Sequence, residues 1–240
     1  MKINKKLLQT AASAAIGYAT GMLNPAYVIG LRKGYDIRKK GSGNPGASNT
    51  IILEGKKAGL FVMAFDISKA AVAVSLSRRL FPKYDCAGET AGTACVLGHM
   101  FPATLGFRGG KGLACLGGEI LAFSLHDFAT MLFFESVLLM ATRYICLVPI
   151  TLSVAYPIYH GLETGNWKGS AILGSVALPV LAKHIENLKR IAEGKELKVD
   201  FLWNKEGELE RTGWEEEEQN SNFSLFCQRK VFSIANEHFC

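Results

Sequence analysis

The chain reads as an all-α protein, a polytopic membrane bundle of seven short transmembrane helices, and three observations predict it. Apolar stretches fall at about 7–30, 57–80, 90–107, 112–126, 128–142, 144–161 and 168–183, most of them near the roughly 20 residues a helix needs to cross a bilayer. Several are rich in Gly, Ala and Ser, as at Ala11 to Gly21 and Ala70 to Ser77, a composition that lets helix backbones approach closely in lipid. The charge is also divided. Residues 197–240 hold nine acidic and five basic residues, and removing that −4 from the +6 of the whole chain leaves +10 on residues 1–196. The mean hydropathy of +0.16 therefore averages an apolar, basic body and a polar end. Seven apolar runs in under 185 residues leave too little polar surface to clothe a soluble domain.

Taken in order, Lys2 to Lys6 precede an apolar run that continues past Met22 with no convincing cleavage site, so it is read as the first span, with a cleaved secretory signal as the alternative. The loop after it carries Arg32, Lys33, Arg38, Lys39 and Lys40, which outweigh Lys2, Lys5 and Lys6 and place that loop in the cytoplasm. An odd number of spans, with the N-terminus outside, then also puts Lys183, Lys189, Arg190 and Lys195 on the cytoplasmic side. Residues 1–196 form the membrane-embedded domain. Residues 197–240, with Glu215 to Glu218, read as a polar tail, disordered or weakly docked. Six cysteines are scattered without a C-x-x-C pair, which argues against a disulfide framework or a zinc site. No residue pattern selects a metal, an organic cofactor or a nucleic acid.

Two glycine-rich islands separate the spans: Ser42-Gly43-Asn44-Pro45-Gly46-Ala47-Ser48-Asn49 and Gly106-Phe107-Arg108-Gly109-Gly110-Lys111-Gly112. Glycines leave backbone N–H groups open to close approach, and Arg108 and Lys111 add cationic donors, so both islands read as anion cradles with phosphate as the leading ligand. His99 ends an apolar run just before the second island. His184 and Asn187 stand three apart, on one face of a helix, and can donate to a phosphate or a hydroxyl. A P-loop is excluded by spacing, since Leu105 and Gly112 stand where Gly and Ser or Thr are required.

Together these segments resemble the acyl-phosphate-dependent glycerol-3-phosphate acyltransferases of the PlsY type. That family carries S-G-N-x-G-A-T-N, then G-H-x-F-P with K-G-G-K-G, then H-R-x-N-I…G-x-E. The chain has Ser42 to Asn49, Gly98-His99-Met100-Phe101-Pro102 with Arg108 to Gly112, and His184-Ile185-Glu186-Asn187 with Gly194-Lys195-Glu196, in matching order across about residues 5–196. The resemblance implies transfer of a fatty acyl group from acyl phosphate to the 1-hydroxyl of glycerol 3-phosphate, giving lysophosphatidate and inorganic phosphate, the first step of phospholipid synthesis. It implies a multi-pass protein of the bacterial cytoplasmic (inner) membrane whose active site faces the cytoplasm. Its partners would be glycerol 3-phosphate, acyl phosphate, membrane lipid and other lipid-synthesis enzymes.

On that resemblance Ser42, Lys111, His184 and Asn187 hold glycerol 3-phosphate and carry catalysis, while Ser48, Gly109 and Gly110 cradle the acyl phosphate. Asn44, Gly46, Asn49, His99, Arg108 and Glu196 occupy the remaining motif positions as substrate-binding residues. The absence of H-x-x-x-x-D anywhere in the chain favours acyl phosphate over a thioester donor. One departure stands out: Ile52 replaces the arginine the family places three residues after the first motif, and Lys56, Lys57 and Arg143 are the candidates to return that charge. The alternative is a catalytically silent membrane protein of the same fold, binding a phosphorylated lipid precursor or a lipid-synthesis partner.

Overall fold

The structure is a computed structural model and describes residues 5–212 of the 240. Eleven α-helices run in order: α1 (Lys5–Gly21), α2 (Pro25–Arg32), α3 (Ala47–Glu54), α4 (Lys56–Leu80), α5 (Ala87–Met100), α6 (Leu113–Phe123), α7 (Leu125–Thr142), α8 (Leu147–Thr164), α9 (Trp167–Gly174), α10 (Ala177–Ala192) and α11 (Lys205–Thr212). There is no strand among the described residues. Each of the seven apolar runs holds a helix, but the first and last are broken, the run at 90–107 leaves its helix after Met100, and the run at 112–126 is divided at Ser124 between α6 and α7. Asn24 caps α2 by accepting from Tyr27 N at 2.8 Å, ahead of Pro25 at the first helical position, where its missing N–H costs nothing. The last run breaks at Ser175 and Val176, between α9 and α10. By length and apolar composition, α4 and α7 are the two described helices able to cross a membrane alone.

Small residues set the packing. A Cβ on Gly17 of α1 would stand 2.0 Å from Ala91 O of α5, and one on Gly118 of α6 would stand 2.1 Å from Ile67 O of α4. These helices therefore meet backbone to backbone, the arrangement that replaces hydrophobic driving force inside lipid. Ser77 Oγ donates to Ser13 Oγ at 2.8 Å, tying α4 to α1. The main core joins α4, α5, α6, α8 and α10 through Ala73, Val96, Cys115, Ile120, Tyr156 and Val180. Outward, Leu60, Phe61, Val72, Leu132, Phe133, Leu162 and Leu178 are exposed, an apolar coat suited to acyl chains as solvent.

Residues 197–212 depart from the tail expected beyond residue 196. A 3₁₀ turn (Val199–Leu202) and α11 fold back onto the body, where Leu197, Phe201 and Leu209 bury against Ile52. Arg211 fastens the segment by donating to Gly194 O at 2.6 Å and Glu196 O at 2.7 Å. Arg143 pairs with Asp200, and its carbonyl accepts from Val199 N at 2.7 Å. Glu215 to Glu218 lie outside the described residues.

Candidate active site

The loops at one end of the bundle enclose a cavity of about 520 Å³. Its wall draws on all three motif regions: Ser42, Asn44, Gly46 and Ser48; His99 and Lys111; His184, Asn187 and Glu196. Gly46 and Gly112 are the N-cap residues of α3 and α6, neither helix has a side-chain cap, and both glycines line the cavity. Two uncapped helix N-termini thus present first-turn N–H groups and positive dipole ends to one space, an anion site by construction. Glycine is required at 112, where φ is +90°.

A polar network closes one side. Lys111 Nζ donates to Asn187 Oδ1 at 2.5 Å, Asn187 Nδ2 donates to Glu196 Oε1 at 2.6 Å, and Arg190 Nε donates to Glu196 Oε2 at 2.7 Å. The carboxamide orientation follows, because an ammonium only donates and a carboxylate only accepts. Burial pushes the Lys111 ammonium down to about 8, against the pull of the nearby Glu196 carboxylate. His184 is 1% exposed, and its Nδ1 lies 2.7 Å from Val180 O. A carbonyl accepts only, so Nδ1 carries the proton and Nε2 keeps a lone pair.

His99 is held from behind. The Lys69 ammonium lies 2.9 Å from His99 Nδ1 and 2.6 Å from Asp66 Oδ1, and donates to Leu23 O at 2.6 Å. Asp66, His99 and Cys115 gather three metal-ligand types within 4.8 Å of one another, but the Lys69 cation already sits among them. Neither Asp66 nor Lys69 was singled out as a site residue from sequence. Nor was Arg190, which lines the cavity one helical turn beyond Asn187.

Four sequence-selected residues sit elsewhere. Arg108 is exposed and does not line the cavity. Asn49 is fully buried beneath the first island, where Oδ1 accepts from Ser42 N at 2.9 Å and Nδ2 donates to Ile37 O and Lys40 O at 3.2 and 3.0 Å. It braces the loop. The amides of Gly109 and Gly110 already donate to Met100 O and His99 O at 3.2 and 3.0 Å, so they are not open anion donors. A Cβ on Gly110 would stand 2.1 Å from His99 Nε2, so the missing side chain makes room for that ring. Of the cations proposed to replace the arginine at 52, Lys56 and Lys57 are exposed and Arg143 is paired with Asp200. Arg190 is the guanidinium that lines the cavity.

Away from the polar end the same cavity runs between α4, α6 and α7, past Leu60, Met63, Ile67, Phe128, Met131 and Leu132. Leu60 and Leu132 are more than half exposed on the outer surface, so this arm opens sideways toward lipid. A phosphate-sized polar chamber joined to an apolar slot fits an amphiphile with an anionic head.

Comparison with known proteins agrees. The family described as glycerol-3-phosphate acyltransferase matches residues 11–194. A glycerol-3-phosphate acyltransferase of Legionella pneumophila (strain Corby) is 37% identical over 189 residues, covering 78% of this chain and 67% of that protein. One from Macrococcus caseolyticus (strain JCSC5402) is 32% identical over 207 residues, covering 81% and 99%. The crystal structure of PlsY (YgiH), an integral membrane glycerol 3-phosphate acyltransferase, in its glycerol 3-phosphate form, superposes with a TM-score of 0.70 at 27% identity, covering 83% of this chain and 98% of that one. The lysophosphatidic acid form gives a TM-score of 0.68. The chain is an integral membrane, all-α protein, and it belongs to the glycerol-3-phosphate acyltransferase family.

Proposed function

We propose that the protein transfers a fatty acyl group from acyl phosphate to the 1-hydroxyl of glycerol 3-phosphate, with the polar end of the cavity on the cytoplasmic face of the bacterial inner membrane. The observation that carries this reading is the joined cavity: two uncapped helix N-termini and Lys111 at one end, an apolar slot opening to lipid at the other. Two phosphates held side by side repel each other. The α3 and α6 N-termini, Lys111 and Arg190 offset that repulsion and bring the hydroxyl to the acyl carbon. The hydroxyl oxygen bonds to the carbonyl carbon, the bond from that carbon to the phosphate oxygen breaks, and phosphate leaves with the electron pair. The hydroxyl proton passes to His184 Nε2 or to a phosphate oxygen. Phosphate is a good leaving group, so no covalent enzyme intermediate is needed.

A specific observation supports a second reading. Ile52 is 7% exposed inside an apolar cluster where the resemblance calls for an arginine, which is compatible with a silent member that binds a phosphorylated lipid precursor. Purified protein given palmitoyl phosphate, palmitoyl coenzyme A or palmitoyl acyl carrier protein, each with labelled glycerol 3-phosphate, separates the readings. Lysophosphatidate from the acyl phosphate arm alone, absent with Lys111→Ala, supports the transferase. Product from a thioester arm overturns the donor assignment, and no product in any arm leaves the silent reading.

A further inference from the structure

At the opposite end of the bundle lies a second cavity, of about 480 Å³, walled by the first turn of α5, the α6–α7 junction and the last turns of α8. Its charge is lopsided: Asp85, Glu89, Asp127 and Glu163 line it against Arg78. His160 stands in this wall at 4% exposure, and neither of its ring nitrogens has a hydrogen-bond partner among the described residues. Buried polar atoms are nearly always hydrogen-bonded, so an imidazole without an aligned hydrogen bond in the wall of a carboxylate-lined cavity marks a place for a ligand.

The chemistry of the pair narrows the ligand. His160 Nε2 lies 3.4 Å from Glu89 Oε1, near enough for attraction yet not aligned as a hydrogen bond. Two donor atoms each roughly 2.0–2.1 Å from one tetrahedral cation stand about 3.3 Å apart, so the spacing fits two ligands of a single ion. Both groups are held in place. Asn166 Nδ2 donates to Glu89 Oε1 at 2.8 Å, while Asn166 Oδ1 accepts from Gly169 N at 3.0 Å. The His160 ring packs against Phe123 and Tyr156, with centroids at 5.2 and 5.7 Å. The Asn166 bond is the kind of outer-shell support that orients a ligating carboxylate, while ring packing fixes the imidazole.

We infer that this far-end cavity binds a divalent transition-metal cation of the Zn²⁺ class through His160 Nε2 and the Glu89 carboxylate. Water completes the shell, with Asp127 and Glu163 lining the cavity around it. Imidazole favours such ions over Mg²⁺ or Ca²⁺, which take oxygen ligands. The cluster of Asp66, His99 and Cys115 is the weaker candidate, because Lys69 already supplies its positive charge.

The full chain in lipid nanodiscs, stripped with chelator, is titrated with Zn²⁺ against a chromophoric chelator. One Zn²⁺ per chain is expected above empty nanodiscs, with affinity at least tenfold weaker in Glu89→Gln and in His160→Gln and within twofold of wild type in Cys115→Ser. Absence of stoichiometric uptake by wild type, or uptake unchanged in both first variants, overturns the inference and leaves a hydrated polar cavity. A readout on wild type alone guards against misfolded variants. Co²⁺ should give the intense visible band of a four- or five-coordinate site, bleached by Zn²⁺, whereas the faint spectrum of hydrated Co²⁺ overturns the assignment.

Discussion

The two ends of the bundle differ in how their central polar side chains are paired, although Asp66 Oδ1 and Asp200 Oδ1 at the first end also lack an aligned hydrogen bond. At the family-defining end, Asn187 has a partner on each side: Lys111 at its oxygen, Glu196 at its nitrogen, and Arg190 on the second carboxylate oxygen. At the far end both ring nitrogens of His160 and the Ser170 hydroxyl lack an aligned hydrogen bond among the described residues. A network whose members are all satisfied has one geometry, which is what holding two anions for reaction demands. The far-end groups are held by Asn166 and by ring packing but not bonded into one network, so chemistry belongs to the first end and ligand capture to the second.

Lys111→Ala breaks the paired end most severely. It removes a cation from the cavity and leaves Asn187 Oδ1 without its donor. A loss of roughly 10²–10³ in kcat/KM, about 3–4 kcal/mol, is expected for one such contact in a water-poor site. Lysophosphatidate formation measures it. Retention of a tenth of wild-type activity would mean that the network is structural and the helix N-termini do the work.

Ile52→Arg comes next. The side chain is buried against Leu197, Phe201 and Leu209, and Lys205 Nζ donates to Ile52 O at 2.7 Å. An unpaired guanidinium placed there should loosen residues 197–212 by about 2–4 kcal/mol. Faster tryptic cleavage after Lys198 and Lys205 would register this. Slower cleavage together with higher turnover would instead show that the arginine reaches the cavity and that the isoleucine is a handicap.

How far sequence reached follows from the same contrast. The seven helical runs were legible because apolar length is a local property, and the cavity residues because glycines and charged groups recur in short motifs. The break before α10 lies between Gly174, which ends α9, and Pro179 in the first turn of α10, a stop and start pair that a reading by apolar length passes over. Residues 197–212 were read as a tail because their charges dominate composition, whereas docking rests on three apolar side chains and Arg211. Glu89 with His160 is a pair that forms only once α5 and α8 are packed, whereas Asp66 and Lys69 stand three apart on α4 and were legible as a local pair. The amides of Gly109 and Gly110 show the reverse error: glycine was read as an open donor where its use is to admit the His99 ring.

The pH dependence sharpens the comparison further. Lys111 is cationic below about 8 and neutral above it. For the free enzyme, kcat/KM should therefore fall about tenfold per unit at alkaline pH, with its bend near pH 8. An unperturbed lysine would place that bend beyond pH 10. Lys111→Arg, which stays charged, should lower activity but abolish the bend. A bend that persists near pH 8 in this variant would assign it to another group.

The smallest effect should come from the far end. Glu89 and His99 lie ten residues apart on α5, about 15 Å along the helix axis, with α1 packed closely against that helix. Glu89→Gln preserves shape and an oxygen to accept from Asn166, and sites this far apart with no shared partner act additively. In metal-free buffer its turnover should stay within about twofold of wild type. A tenfold loss with unchanged thermal stability would mean that α5 transmits the state of the far cavity to His99. The unpaired histidine would then belong to the catalytic apparatus, and the division between the two ends would fail.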